Sequence, residues 1–525
     1  MSTFNELIDF TRSTTGTYLD SVVYGDELVT NGDFATDSDW TKGSNWTLGD
    51  GVATSLGINA ASAERVLSQA SILTVGKTYT LSVAIDGSNV SSAFVNFYLA
   101  APSTFIHSVA FDSSGIYVIT FVATSTTLSL TTSAPGGYSG NFSIDNVSVK
   151  ELTGGQVSGT PLLRTAAVHE PRLEYDAQGN ALGLLIEKGR TNLMTQSNIE
   201  SAYWGGGGAA TVTNRTDNAL GFFNGAAIAS NGVNWHRAIR AVALTENVSY
   251  VLTCFYKEGT SGRLRFELRT NSNSSSIIGT IGSLSVTSTA GGALELLSDE
   301  AYGDVRKLSA KWTPNYTGSA QIGLGPDSFT SGETVIGYGV QVEEGAFPTS
   351  YIPTSGSAVT RAIDSAVATL SDFYYRQKHG SMVVEFTSKY DESTELFKRV
   401  CEIGNANASV NRIMKYIRTD TTTLAVTVRE NGSPEYGRTL TTSVPNNTGV
   451  YSKSAFAWET NNAHAALDGD LVGSADTDVS LTQTRDTLGI MRGAFGKGDT
   501  LTGHIKSIQY YPLRVADAKL ETLTS

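Results

Sequence analysis

"LTVGKTYTLSVAIDG" (residues 73–87) and "LTENVSYVLTCFYKEG" (residues 244–259) decide the fold. Each begins Leu-Thr, passes a short polar turn, reaches a tyrosine (Tyr79, Tyr250) and enters an apolar-rich run. In "YTLSVAI" (79–85) large apolar residues stand at every second position, the period of a strand with one buried face. Similar runs follow at "FVNFYLA" (94–100), "IYVITFVA" (116–123), "TLSLTTS" (127–133) and "FSIDNVSV" (142–149). Gly, Pro, Asn and Ser separate them every ~8–15 residues, the spacing of an antiparallel sandwich or jelly roll. Apolar residues at helical spacing occur only in short stretches near the termini, "FNELIDF" (4–10) and "VADAKLETL" (515–523). The expectation is an all-β protein of antiparallel sandwiches with short helices only at the termini.

Composition agrees. A chain of 525 residues exceeds one hydrophobic core, and three or four domains are expected. Only 17% of residues are charged, and 53 are glycine, which suits a surface of Ser, Thr, Asn and tight turns. A net charge of -13 without a Lys/Arg cluster excludes a nucleic-acid groove, which needs a basic footprint. No apolar run reaches the ~18 residues of a membrane span, and "MSTFNELIDFTRS" has acidic residues where a signal peptide would be basic. Cys254 and Cys401 lie far apart, so a disulfide framework is excluded and synthesis in a reducing compartment is expected.

The opening pair belongs to a longer repeat. "ELVTNGDFATDSDW" (27–40) is answered by "NLMTQSNIESAYW" (192–204), and "FSIDNVSVKEL" (142–152) by "VIGYGVQVEEG" (335–345). Three matches in one order predict two copies of one jelly roll, at 27–152 and 192–348. Trp40 has a twin in Trp204, which fits a ring capping one end of each core. Trp46 has no twin and sits among Asn and Gly, so it is the expected exposed ring. With Asp39, Asn45 and Asp50 as a polar rim it forms a candidate carbohydrate-binding site.

The "LVTNGDF…W…W" opening and "FSIDNVSV" closing resemble the jelly-roll carbohydrate-binding modules attached to glycan-degrading enzymes, over about a quarter of the chain. That resemblance implies aromatic stacking on sugars, with Asp and Asn bonding hydroxyls. It also implies a structural calcium, for which Asp33 and Asp145 are the residues that align. The acidic residue expected after "NGDF" is here Ala35. "FTRSTTGTYLDS" (10–21) and "RTAAVHEPRLEYDAQGNALGLLIEKGRTNLMTQS" (164–197) resemble two halves of one stretch in bacteriophage and prophage virion proteins, where they are contiguous. Here about 140 residues separate them, which implies that the first sandwich is inserted. "GVQVEEGAFPTSYIPTSGSAVTRAID" (339–364) continues that pattern. "GSMVVEFTS" (380–388), "AHAALDGDLVGS" (463–474) and "GHIKSIQYYPLRVADAKLETL" (503–523) resemble the concanavalin A-like (laminin-G-like) sandwich of phage tail and head-fibre proteins. The Asp-Gly pair in the second of these predicts a type I′ hairpin.

The expected organisation is an N-terminal segment (1–26, the first half of the split module), the inserted jelly roll (27–152), a connector (153–191, the second half), a second jelly roll (192–348), an extended linker (349–364) and a concanavalin A-like sandwich (365–525). Catalytic patterns are missing: Glu385 stands alone on its strand, and the six histidines have no metal-ligand spacing. "DGDLVGSADTD" (468–478) lacks the closing glutamate of an EF-hand and reads as a hairpin tip. The expectation is therefore a non-enzyme with no catalytic residue and no cofactor besides the calcium considered above. The resemblances imply a virion protein of tail-fibre or spike type that recognises host surface glycans. It would contact other virion proteins as a homo-oligomer, a trimer, made in the host cytoplasm and released by lysis. Two alternatives stand, a capsid head-fibre or decoration protein and a bacterial glycan-binding or glycan-cleaving protein.

Overall fold

The computed structural model describes residues 9–20, 24–55, 66–86, 93–99, 104–111, 115–133, 142–152, 162–166, 168–270, 273–373, 375–390, 396–496 and 499–525. Their regular structure is almost wholly antiparallel strand, arranged as three β-sandwiches. The chain divides into two compact units, residues 22–157 and residues 1–21 with 158–525.

In the unit 22–157, one sheet runs Thr104–Phe111, Ala93–Leu99, Leu128–Ser133, Val66–Gln69, Thr41–Lys42. The facing sheet runs Gly115–Val122, Thr78–Asp86, Phe142–Leu152, Val52–Ser55, Trp46–Gly49, with Tyr24–Glu27 on the far half of Phe142–Leu152. Alternation along Thr78–Asp86 sends Tyr79, Leu81, Val83 and Ile85 into the core, where they meet Leu128, Leu130, Ile144 and Val149. Side chains one face apart are two residues apart, so the register of this strand fixes its whole buried set.

The sandwich within residues 192–348 repeats that strand order. Gly205–Gly207, Arg237–Leu244, Gly318–Pro326, Arg263–Thr270, Asn273–Thr280, Ser283–Thr289 form one sheet. Thr211–Asn214, Ala226–Ala229, Thr334–Glu344, Tyr250–Glu258, Val305–Pro314, Gly292–Tyr302 form the other. Ser283–Thr289 and Gly292–Tyr302 are additions at the two edges. Residues 73–87 and 244–259 occupy the same place in each copy, down to one bond. The Tyr79 hydroxyl accepts the Thr74 amide at 2.8 Å, and the Tyr250 hydroxyl accepts the Thr245 amide at 3.0 Å.

The third sandwich is where the sequence-drawn boundaries need correction. Each of its two seven-stranded sheets takes edge strands from outside residues 365–525. Asp9–Thr11 pairs with Ser365–Thr369, so the described end of the expected N-terminal helix is a strand; residues 4–8 lie outside the described residues. Arg172–Tyr175 and Ala181–Ile186, expected as connector, extend the other sheet along Gly503–Tyr511. Leu184, Ile186 and Phe10 are buried in the common core, and that burial is why these segments cannot be free connections. The expected linker 349–364 is likewise built in: Val359–Arg361 pairs with Arg190–Asn192, and Tyr351, Thr354 and Asp364 are buried. The type I′ hairpin is present, Leu467 opposite Asp470 with Asp468 and Gly469 both at positive φ. The terminal helix is Asp517–Thr524, and a 3-10 turn at Leu370–Phe373 adds helical structure away from the termini. Among the described residues no helix is long and apolar enough to cross a membrane.

The two halves of the split motif meet. Gly16–Asp20 pairs with Leu162–Ala166, Asp20 opposite Leu162, so the chain leaves and re-enters this unit at the tip of one hairpin. Leu19 and Leu163 from that hairpin pack with Phe223, Phe255, Tyr338 and Tyr351. Adjacent ends are what an inserted domain requires. Joining Asp20 directly to Gly159 would leave Gly159, Thr160 and Pro161 as a three-residue hairpin loop. Calorimetry of that deletion is expected to show the melting transition of the remaining unit within about 1 kcal/mol of its stability in the full chain. Insoluble product, or loss of a cooperative transition, would contradict the insertion.

Candidate functional site

The residues expected to bind sugar do not come together on a surface. Trp46 is 2% exposed. It starts the strand Trp46–Gly49, in which Trp46 and Leu48 point inward and Thr47 outward. Asn45 is also buried, its Nδ2 donating to Ser55 Oγ at 3.2 Å. Asp39 and Asp50 are exposed at positive φ in turns, and neither has an exposed Trp46 ring to frame. Trp40 is core as well, packed on Phe34 at 5.4 Å with its Nε1 donating to the Asn31 carbonyl. Asp33 and Asp145 flank the contact in which the Val147 amide reaches the Gly32 carbonyl at 2.9 Å. Their carboxylates accept local amides, Asp33 from Ala35 and Asp145 from Asn146. Among the described residues no three His, Cys, Asp or Glu side chains converge as a metal site.

The second sandwich carries the surface that fits the expected chemistry. Its loop "SNGVNWHR" (230–237) exposes Trp235 at 44%, and the loop after Pro326 exposes Phe329 at 73%. These loops touch, since a Cβ on Gly232 would lie 3.8 Å from the Phe329 carbonyl oxygen. Ser230 ties them by donating to the Val233 and Ser328 carbonyls. The tryptophan loop is pinned from below by two arginines of the sheet. Arg265 Nε donates to the Asn234 carbonyl at 2.8 Å, and Arg237 Nη1 to the Trp235 carbonyl at 2.6 Å. Burial pulls the Arg237 guanidinium down from its ordinary value, against the pull of Glu267 at 3.1 Å. It stays a charged, fixed strut.

The ring is seated on glycine. A Cβ on Gly208, at φ +68°, would come within 2.1 Å of Trp235 Cζ3, so only glycine lets the "GGGG" segment (205–208) lie against it. His236 meets the ring edge-on at 5.0 Å. Asp327 organises the rim, accepting Arg263 Nη2 at 2.7 Å, Arg265 Nη2 at 3.1 Å and Asn234 Nδ2 at 3.4 Å. The result is a half-exposed aromatic ring on a loop fixed through its backbone carbonyls, with the Asn234 amide and the Arg263 and Arg265 guanidinia gathered on Asp327 of the adjoining loop. A planar apolar face with polar groups at its edge suits a ligand that has both an apolar face and equatorial hydroxyls. Trp235 was within reach of sequence reasoning, because its Asn- and Gly-rich setting is the same signal that singled out Trp46.

No known protein family matches the chain, and no curated protein does. Among solved structures it has similarity to the carbohydrate-binding module of a Ruminococcus gnavus sialidase, at 16% identity and TM-score 0.24, covering 28% of this chain and 83% of that one. The tandem modules of Paenibacillus barcinonensis Xyn10C match at 11% identity and TM-score 0.22, over 61% and 98% of the two chains. Domains LG4-5 of mouse laminin alpha1 match at 10% identity and TM-score 0.19, over 64% and 91%. At those scores the neighbours carry no argument about what this chain binds.

Proposed function

We propose that the chain is a non-catalytic adhesive protein that binds glycans through the Trp235 platform of its second sandwich. The observation that carries this reading is the half-exposed Trp235 ring, on a loop whose backbone Arg265 and Arg237 pin, next to a loop that exposes Phe329. Keeping a large apolar ring in water costs free energy unless a partner covers it, and four separate contacts hold this one there. The split stretch that resembles phage virion proteins supports the setting: a fibre- or spike-type virion component directed at host surface glycans. Its remaining domains would serve attachment to other virion proteins. Weak single-site sugar contacts gain from repetition, which supports a homo-oligomer, and the resemblance to virion fibres, which are usually threefold, makes the expected one a trimer. Light scattering is expected to return about three times 55.6 kDa, and a monomer mass would reject that part of the reading.

Trp235→Ala tests the platform. Losing the stacking face is expected to weaken binding on a glycan array or to host cells by about 1–3 kcal/mol, roughly 5- to 150-fold, without moving the melting temperature. Unchanged binding by that variant would place the adhesive surface elsewhere.

A further inference from the structure

The outer face of the third sandwich sets two arginines against each other. Four neighbouring strands of one sheet are Phe397–Asn405, Ala408–Arg418, Thr423–Glu430 and Ser433–Thr441. Ile413 and Ile417 on the second of these, and Leu424, Val426 and Val428 on the third, lie in the core. Alternation therefore turns Arg412, Thr427 and Arg429 to the outer face. Arg412 stands directly opposite Arg429 in the antiparallel register. Like charges so placed destabilise a sheet.

The chain supplies little negative charge to offset them. Arg412 comes no closer to a carboxylate than 3.9 Å, on Glu402, which Arg399 Nε already holds at 2.9 Å. Asp499 is taken by the same Arg399 at 3.0 Å. Arg429 forms no ion pair with any described residue, and its Nη1 donates to the Gly432 carbonyl of its own turn. Arg412 donates no hydrogen bond to any described residue, although its side chain is 20% exposed and its Nη groups can be reached from solvent. Burial pulls the Arg412 guanidinium below its ordinary value; Glu402 pulls it up, and Arg399 and Arg429 push it down again. Thr427 lies two residues from Arg429 on the same face, and its hydroxyl has no hydrogen-bond partner among the described residues. The residue opposite Thr427 is Gly437, exposed and without a side chain to cover it. Two partly exposed guanidinia and a free hydroxyl thus share one patch of a chain whose net charge is -13.

We propose that Arg412 and Arg429 form a site for a doubly charged phosphate, free or as the monoester of a sugar, with Thr427 donating to one of its oxygens. A dianion neutralises both guanidinia, where a carboxylate neutralises one. A guanidinium fork also matches the oxygens of a tetrahedral phosphate bidentately. Nothing in this inference uses Trp235.

The test titrates the full chain by calorimetry with inorganic phosphate, D-glucose 6-phosphate, D-glucuronate and D-glucose. Glucose 6-phosphate is expected to bind saturably, about tenfold or more tighter than glucuronate, and to weaken with added salt. Inorganic phosphate binding as tightly would assign the site to the free ion, and tighter binding of the ester would assign it to a sugar phosphate. Lowering the pH from about 7.5 to about 5 takes the ester through its second ionisation near 6, so its affinity should fall towards that of glucuronate, which stays a monoanion and should change little. Arg412→Gln and Arg429→Gln should each cut glucose 6-phosphate affinity about tenfold. Neither should lower the melting temperature of the ligand-free chain, because each relieves a like-charge contact. Trp235→Ala should leave phosphate binding intact. The proposal is overturned if neither phosphate binds saturably, if glucuronate binds as tightly as glucose 6-phosphate, if the ester's affinity ignores its second ionisation, or if both glutamine variants bind like the parent. A clear fall in melting temperature in either glutamine variant would overturn it as well, since it would make that arginine a structural prop.

Discussion

Asp364→Ala is expected to destabilise the unit made of residues 1–21 and 158–525 by about 3–5 kcal/mol, the cost of leaving buried charges without their partner. Asp364 is fully buried and accepts Arg12 Nη1 at 3.2 Å, the Glu187 amide at 2.8 Å, and Arg172 Nη2. Arg12 comes from the first half of the split motif, Arg172 and Glu187 from the second, and Arg361 and Asp364 from the segment that follows the second sandwich. Removing this carboxylate takes the Asp364 ion pair from both Arg12 and Arg172 and leaves Glu187 as the counter-charge that Arg172 and Arg361 share. Urea or thermal unfolding should show the loss in this unit's transition and leave the transition of residues 22–157 in place. A change below about 1 kcal/mol would mean the cluster is not what ties these segments together.

The same cluster sets a pH dependence. Burial pushes Glu187 up, but Arg361, Arg172 and the bonds from Ser350 outweigh it and hold the carboxyl well below its ordinary 4.5. A folded value below the unfolded one means the stabilisation is present above about pH 4.5 and is lost as pH falls through the folded value. Acid should therefore reproduce part of the Asp364→Ala defect.

What could be read from sequence follows the range of the interaction. Period-two alternation, the Asp-Gly hairpin and the repeat are local patterns, and the sandwiches and the strand order of both jelly rolls follow them. The ion-pair cluster joins residues 352 and 177 positions apart, and no local pattern states such a pairing. "FTRS", "PRLEY", "LLIEKGR" and "VTRAID" fall in stretches expected as terminal segment, connector and linker, yet Arg12, Arg172, Glu187, Arg361 and Asp364 in them are buried. The tryptophans show the same limit from the other side. Polar neighbours select Trp46 and Trp235 equally; what separates them is that one begins a strand and the other sits on a loop. The alternation Trp-Thr-Leu-Gly was there at 46–49, but four residues between Asn45 and an Asp-Gly turn are too short to outweigh their polar surroundings.

Trp46→Ala is therefore expected to act on stability rather than on binding, the reverse of what an exposed ring would do. The ring packs in the core of residues 22–157 with Phe34, Leu48, Tyr79 and Val147. Its cross-strand neighbour is Ser55, fully buried and fixed by Asn45, while the next inward pair sets Leu48 opposite Ala53. Small residues opposite a large ring leave nothing that can move in to fill the space. Deletion of the ring should cost about 3–5 kcal/mol, transfer and cavity terms together. For a unit of this size that lowers its melting temperature by roughly 10 °C or more, while the larger unit melts as before. Below the lowered transition, glycan and host-cell binding should equal that of the parent chain, because Trp235 lies in the other unit. Calorimetry and binding on Trp46→Ala and Trp235→Ala together decide the matter. A Trp46→Ala variant that melts within 1 °C of the parent and fails to bind would restore the first sandwich as the adhesive surface.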